Sequence, residues 1–333
     1  MSRHQKTLGD AGERTFITRI RKMMPADGGT FRRSVGDDCL VTEPLGNDAV
    51  LATTDTFVDG VHFGVDYMSY ENAGRRCMTA SVSDIAAMAG VPVCSLVSLS
   101  MPKDFLFDDA VSLFTGLRDA AAEYRCPVTG GETTSTPGPV TITVTVLGTA
   151  APGSAVLRSG AQAGDRIFVT GTVGDAMAGL EAFQRGEDGF DTLKAKFVSP
   201  TAHVKLARAL VSSYHITAMI DISDGLAVDL GHMCDESHCG AEIHAPLIPL
   251  SGEFRRFAEK LAPGMIEFAL SSGEEFELLF TSGDRQIPDR FTLNDRTVTG
   301  IGTIVGAEKG MNVYGEDETP KPLLPRGYEH FKS

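Results

Sequence analysis

A chain of 333 residues with 42% hydrophobic and 22% charged content has the composition of a globular protein large enough for two domains. Its formal net charge of -14 argues against sequence-independent nucleic-acid binding, which needs a basic face, but allows an anionic substrate where metal ions bridge the charges. Six cysteines without a Cys-x-x-Cys pair, an N-terminus without an apolar core, and a longest weakly polar stretch (85–101) broken by Pro92 give the expectation of a reduced, cytoplasmic protein that does not span a membrane.

Arg14 to Met24 has apolar residues at 16, 17, 20, 23 and 24 and is a predicted helix, closed by Pro25 and Gly28-Gly29. Gly36-Asp37-Asp38 is a turn entering a short strand at Cys39. Ala49-Val50-Leu51-Ala52 is a predicted buried strand, with Thr53, Thr54 and Asp55 at its end and His62 seven residues after Asp55. Two readings fit this stretch: a capped strand followed by a turn, or a place where Mg²⁺ meets a phosphate. Tyr70 to Gly90 reads as a helix rich in small residues, with Asp84 inside it. Val93 to Met101 is a strand, and Asp108 to Tyr124 an amphipathic surface helix. Cys126 to Thr129 is a short strand before Gly130-Gly131-Glu132-Thr133-Thr134, and Val140 to Gly148 alternates as a half-buried strand does. Ala150-Ala151-Pro152-Gly153 is the best linker, so the expected domains are 1–150 and 151–333.

The second half begins with the turn Arg158-Ser159-Gly160 and the strand Arg166 to Thr170. A helix is predicted from Ala176 to about Phe183, a polar surface excursion from Gln184 to Lys194, and a helix from Thr201, as N-cap, to Ser212. The strand Ala218-Met219-Ile220 leads into Asp221-Ile222-Ser223-Asp224-Gly225, and Leu226 to Cys234 is helical. Gly273-Glu274-Glu275 is a turn running into a strand, Val298 to Val305 is a late strand, and 320–333 is loop-like. Strands and helices intermix in both halves, which predicts two α+β layers.

Acids recur where strands end or turns begin: Asp38, Asp55, Glu132, Asp221, Asp224 and Glu274, with Asp84 arriving from a helix. Each taken alone is by default a solvated acid. Their settings of Gly, Ser and Thr offer hydroxyl and backbone oxygens beside the carboxylates, a donor set that suits Mg²⁺ and not Zn²⁺. There is no Gly-Lys-Ser/Thr loop, no protein-kinase motif set and no Gly-x-Ser-x-Gly elbow. A nucleotide here would be held mainly through metals and backbone. His232, Cys234, His238 and Cys239 match no usual zinc spacing, and an ordinary helix end is expected there.

Taken together, these motifs resemble those of the thiamine-monophosphate kinases, within the aminoimidazole-ribonucleotide-synthetase-like superfamily. The matching segments run in order from Gly36-Asp37-Asp38, Thr53-Thr54-Asp55, His62-Phe63 and Ser83-Asp84 to Gly130-Gly131-Glu132 in the first half. Arg158-Ser159-Gly160, Asp221 to Gly225, Gly273 to Leu278 and Gly327-Tyr328 follow in the second. The resemblance implies an α+β fold of two domains, with an N-terminal mixed-sheet domain that dimerises sheet to sheet and a C-terminal α+β domain that completes the site. It implies ATP-dependent phosphorylation of thiamine monophosphate by direct in-line transfer. Asp38, Thr53, Thr54, Asp55, Asp84, Glu132, Asp221 and Asp224 would hold several Mg²⁺ ions. Gly131, Glu132, Arg158 and Ser223 would contact ATP, and His62, Glu274 and Tyr328 would hold thiamine monophosphate.

Three positions depart from the family pattern: Glu132 replaces the usual Asp, Phe276 the usual Tyr, and Ser81 the usual Asn. None removes an expected carboxylate. The rivals are another ATP-dependent enzyme of the superfamily and a non-catalytic nucleotide or thiamine-phosphate sensor. A hydrogenase-maturation protein should end in a cysteine, and here the last cysteine is Cys239.

Overall fold

The computed structural model describes residues 37–260 and 264–328, with residues 15, 18, 31–33 and 330 besides. Apart from residues 15 and 18, the helix expected at 14–24 lies outside the described residues.

The first sheet contains β1 (Phe31–Arg33), β2 (Leu40–Thr42), β3 (Ala49–Val58), β4 (Val91–Met101), β5 (Val128–Ser135) and β6 (Thr141–Ala150), in the order β1-β2-β3-β6-β4-β5. Its ladders are antiparallel except β4–β5, which is parallel and needs a crossover. That crossover is α2 (Phe107–Glu123). The preceding helix, α1 (Tyr70–Ala87), packs against α2, and its small residues allow a close approach. A Cβ on Gly74 would stand 2.1 Å from the Leu113 carbonyl, and one on Gly116 1.8 Å from that of Glu71.

β3 is longer than its apolar run suggests. Thr53, Thr54 and Asp55 lie inside the strand rather than at its end. Alternation explains how the sheet accepts them. Leu51 and Phe57 are buried, and Thr53 and Asp55 share their face, toward α1. Thr54 and Thr56 turn to the open face, where their hydroxyls pair with Thr145 and Thr143 at 2.9 Å. β5 likewise continues through the double glycine and Glu132 instead of stopping before them.

The second sheet contains β7 (Arg166–Thr170), β8 (Ala218–Asp221), β9 (Cys239–His244), β10 (Leu278–Ser282), β12 (Arg296–Gly306), β13 (Met311–Tyr314) and β14 (Pro320–Pro322), in the order β14-β13-β9-β12-β7-β10-β8. β11 (Arg290–Leu293) adds to β12. Among the described residues six helices accompany it: α3 (Asp175–Gln184), α4 (Asp191–Val198), α5 (Val204–Ser213), α6 (Leu226–Ser237), α7 (Gly252–Ala258) and α8 (Met265–Ser271). Both faces are covered. Ile167, Val169, Ile220 and Ile301 belong to one apolar cluster, while Phe168 and Phe280, stacked at 5.2 Å, join Leu206 and Leu210 in another. The arrangement is the expected α+β fold in two parts.

Three local expectations fail. Residues 320–322, expected to be loop, form β14 by pairing antiparallel with β13. The stretch 184–194 is not all surface excursion: α4 starts at Asp191 and buries Leu193 and Phe197. The next helix begins at Val204, entered through His203 with no side-chain cap, so Thr201 is not its N-cap. No helix among the described residues is long and apolar enough to cross a membrane.

Candidate active site

The two sheets meet along α1, which contacts both β3 and β8. Asp221 ends β8, and Ser83 on α1 donates to its Oδ2 at 2.5 Å. The next residue on α1, Asp84, accepts the Thr53 hydroxyl from β3. Asp38 stands in the turn before β2 with its side chain 1% exposed and takes Arg158 through Nη2 at 2.6 Å and Nε at 3.2 Å. The Arg158 backbone N–H donates to Asp37 at 2.7 Å, so one residue of the second half clamps both acids of the turn.

Carboxylate oxygens of Asp38, Asp84 and Asp221 lie within 4.8 Å of one another. Such crowding favours protonation unless a cation intervenes. Burial, and then the charges of Asp55 and Asp221, push Asp84 well above the usual carboxylate range. Burial and the Asp38 charge push Asp221 up to about 7. Asp55 is raised by burial and by the Glu274 and Asp38 charges. Asp38 Oδ2 is buried without a partner. An orphaned oxygen beside a set of oxygen donors fits a hard divalent cation such as Mg²⁺.

Beyond Asp221 the chain turns through Ser223 and Asp224. Asp229, buried on α6, accepts the backbone N–H groups of Ser223 (3.1 Å), Asp224 (3.2 Å) and Gly225 (3.0 Å) and so fixes that turn. Asp224, Asp229 and His232 form a second group with ligand atoms within 4.8 Å. His232 therefore sits with acids rather than in a Cys/His set. Asp229 went unnoticed in the sequence, though an acid in the first turn of a helix that follows an acidic loop is a recognisable signal.

Thr54, Asp55, Asp84, Asp221, Ser223 and Asp224 line a cleft of about 380 Å³ that also reaches His62, Glu274 and Tyr328. The last three also border an adjoining cavity of about 370 Å³ with apolar walls that include Val61, Leu180 and Phe197. They thus stand between an acidic space and an apolar one. His62 Nδ1 accepts the Val58 N–H at 3.0 Å, and burial lowers the imidazole's pKa, which disfavours the charged ring. Tyr328 is tied by its N–H to the Asp224 carbonyl at 3.1 Å.

Glu274 lies in the left-handed backbone region (φ 63°), as does Phe276 (φ 52°). Non-glycine residues occupy that region at a cost that the surroundings must offset. The offset is visible here. Arg76 of α1, 2% exposed, reaches Glu274 at 2.5 Å and lies over the Phe197 ring at 4.1 Å. Glu277, wholly buried, takes Lys196 at 2.5 Å, Thr170 at 2.7 Å and Arg296. Burial alone would raise its pKa, but Lys196, His203 and Arg296 hold it well below the usual carboxylate range. Arg76 was also missed in the sequence; its signal was an arginine set among the small residues of an otherwise packed helix.

Gly131 and Glu132 are not brought to this cluster. β5 is an edge strand, and Glu132 is exposed on it. Through the ladders Glu132 lies level with Ser98, Thr143 and Thr56 in turn. Three strand spacings, roughly 14 Å, separate it from β3 within one copy of the chain.

Residues 36–150 match the family model described as AIR synthase related protein, N-terminal domain, and residues 162–309 match the corresponding C-terminal domain. Fold and site together define an AIR synthase related protein. The chain is 32% identical to the thiamine-monophosphate kinase of Bacillus subtilis (strain 168), over 90% of this chain and 93% of that protein. It is 31% identical to that of Aquifex aeolicus (strain VF5), over 97% and 99%. Its structure resembles the solved AaThiL complexed with AMPPCP and TMP, with a TM-score of 0.85 at 30% identity, covering 98% of this chain and 99% of that one. The chain belongs to the thiamine-monophosphate kinase family.

Proposed function

We propose that this chain transfers the γ-phosphoryl group of ATP to the phosphate of thiamine monophosphate, giving thiamine diphosphate and ADP by direct in-line displacement. The observation that carries this reading is the juxtaposition of Asp38, Asp84 and Asp221 with a cleft that runs past His62 and Glu274 into an apolar cavity. One end suits polyphosphate with metal, and the other suits an organic cation with a flat ring.

Asp38, Thr53, Thr54, Asp55, Asp84, Asp221 and Asp224 would hold Mg²⁺ in this reading. When bound, Mg²⁺ would neutralise the repulsion between the two phosphates and stabilise charge in the transition state. Arg158, already fixed against Asp38, presents its guanidinium to phosphate oxygens. Ser223 offers a hydroxyl from the turn that Asp229 braces. Glu274 faces the cationic thiazolium or the aminopyrimidine, His62 and Tyr328 flank it, and the walls of the apolar cavity take the ring. No general base is required, because the acceptor phosphate is already ionised.

The reading includes a homodimer. Thr54, Thr56, Thr143 and Thr145 lie on the open face of the first sheet, and Leu96 is 42% exposed on β4. A second copy set sheet to sheet would cover that surface and bring its own Gly131 and Glu132 to a site they cannot reach in their own chain.

An ADP-release assay tests the proposal. Release should need both thiamine monophosphate and Mg²⁺ and disappear in Asp221→Asn. Tight binding of both ligands without any ADP would identify a sensor instead.

A further inference from the structure

A cavity of about 730 Å³, roughly twice the volume of the acidic cleft, shares no lining residue with that cleft or its apolar neighbour. It lies in the second sheet, where the partners of β12 change. β11 pairs with Arg296 to Thr299, and β9 pairs from Gly302 onward, leaving an opening between them. Four arginines line it: Arg166, Arg255, Arg290 and Arg296. In a chain of net charge -14 that is a local reversal of sign.

The four are not equivalent. Arg166 is held by Asp289 at 2.8 Å, and Arg296 by Glu277. Arg255 and Arg290 are exposed, and among the described residues neither guanidinium has a hydrogen-bond or ion-pair partner. Two acids, Asp289 and Asp295, also line the cavity, so the arginines outnumber them. A second feature points the same way. Thr299 faces Arg290 across the β11–β12 ladder and lines the cavity. It is 8% exposed, and its buried hydroxyl has no partner. Buried hydroxyls are ordinarily satisfied, and one that is not, inside a cationic cavity, marks a place for an acceptor oxygen. Residues 246–250 (Pro-Leu-Ile-Pro-Leu) also line the cavity and give it an apolar wall.

We infer that this cavity is a second, metal-independent ligand site for a diphosphate ester. Arg255 and Arg290 would pair with the phosphates, the Thr299 hydroxyl would donate to one of their oxygens, and the organic part would lie on the apolar wall. Arginine suits this role because its planar fork matches phosphate oxygens two at a time. The volume is within the range of small-molecule sites, roughly 300–1,000 Å³. The inference is independent of the kinase reading, because it uses none of the residues placed in the acidic cleft.

The test is equilibrium binding to the full chain in EDTA, with inorganic pyrophosphate, ADP and thiamine diphosphate as separate probes. EDTA removes Mg²⁺ and with it the metal-dependent affinity of the acidic cleft. All three probes should bind, and the two esters should bind more tightly than pyrophosphate because only they reach the wall. Comparing ADP with thiamine diphosphate shows which organic body the wall prefers. The double variant Arg255→Ala/Arg290→Ala, confined to exposed side chains, should weaken each probe at least about tenfold. Asp55→Asn should leave EDTA-resistant binding unchanged. Absence of binding in EDTA, binding that survives the double variant, or binding lost in Asp55→Asn would overturn the proposal.

Discussion

Arg76 and Glu274 join the two halves of the chain: a guanidinium 2% exposed, on α1, meets a carboxylate 198 residues later at 2.5 Å. The pair holds Glu274 where its backbone is strained, between the acidic cleft and the apolar cavity. Removing one partner of such a pair is costly because the other charge is left buried, typically by about 3–5 kcal/mol. Glu274→Gln should therefore lower stability and also raise KM for thiamine monophosphate about tenfold or more, with KM for ATP nearly unchanged. Steady-state kinetics with each substrate varied in turn checks this, and an equal rise in both KM values would contradict the placement.

Asp55 and Asp221 face the same crowded space from opposite sheets. Asp221→Asn or Asp55→Asn should reduce turnover by about 10³-fold or more, the equivalent of several kcal/mol of lost charge stabilisation. Metal-free stability should move the other way, since each substitution removes a buried charge from a repelling set. Thermal melts in EDTA should show a higher midpoint for Asp221→Asn than for the parent chain. Added Mg²⁺ should stabilise the parent more than the variant.

Glu132 yields a test of assembly. Asp55→Asn and Glu132→Ala should each be impaired alone. If the site draws Glu132 from a second copy, mixed dimers contain one intact site. Equal mixing after subunit exchange should then restore about a quarter of the parent activity, because half the dimers are mixed and each has one good site of two. No recovery on mixing would place Glu132 outside the shared site.

Glu275 gives the pH dependence. Its side chain is wholly buried, and one oxygen accepts the Ala176 N–H at 2.9 Å while the other has no partner. Burial pushes its pKa up to about 8 from the ordinary 4.5, with Lys196 opposing. The folded state therefore keeps a proton that the unfolded chain loses above pH 4.5. This contribution to stability is fully present below that pH and is lost as pH rises toward 8. Unfolding free energy should fall across that window by up to about 1.4 kcal/mol per pH unit from this group. Glu275→Gln should flatten the fall, and parallel curves for parent and variant would contradict the assignment.

Much of this site was legible in the sequence because its acids sit in short Gly/Ser/Thr contexts, and local chemistry survives in linear order. Asp38, Asp84 and Asp221 could be named as candidates; their mutual distance could not, since it depends on how α1 bridges two sheets. The strand through Asp55 was cut short because threonines and an acid interrupt its apolar run. Period-two alternation on a sheet with one open face carries the strand across them. Arg76 and Asp229 were invisible for a different reason. Each acts through a partner, Glu274 or the Ser223–Gly225 turn, that only folding reveals. The short strands β9, β11, β13 and β14 are three to six residues long, too brief for periodicity to show.

The central claim is that one cleft passes a phosphoryl group directly from ATP to a phosphate. Product analysis tests it most directly: purified chain, ATP, Mg²⁺ and thiamine monophosphate, with thiamine diphosphate and ADP quantified by chromatography. The account expects thiamine diphosphate to form in equal amount to ADP and neither to form without the acceptor. ADP without thiamine diphosphate, or no turnover at all, would contradict it.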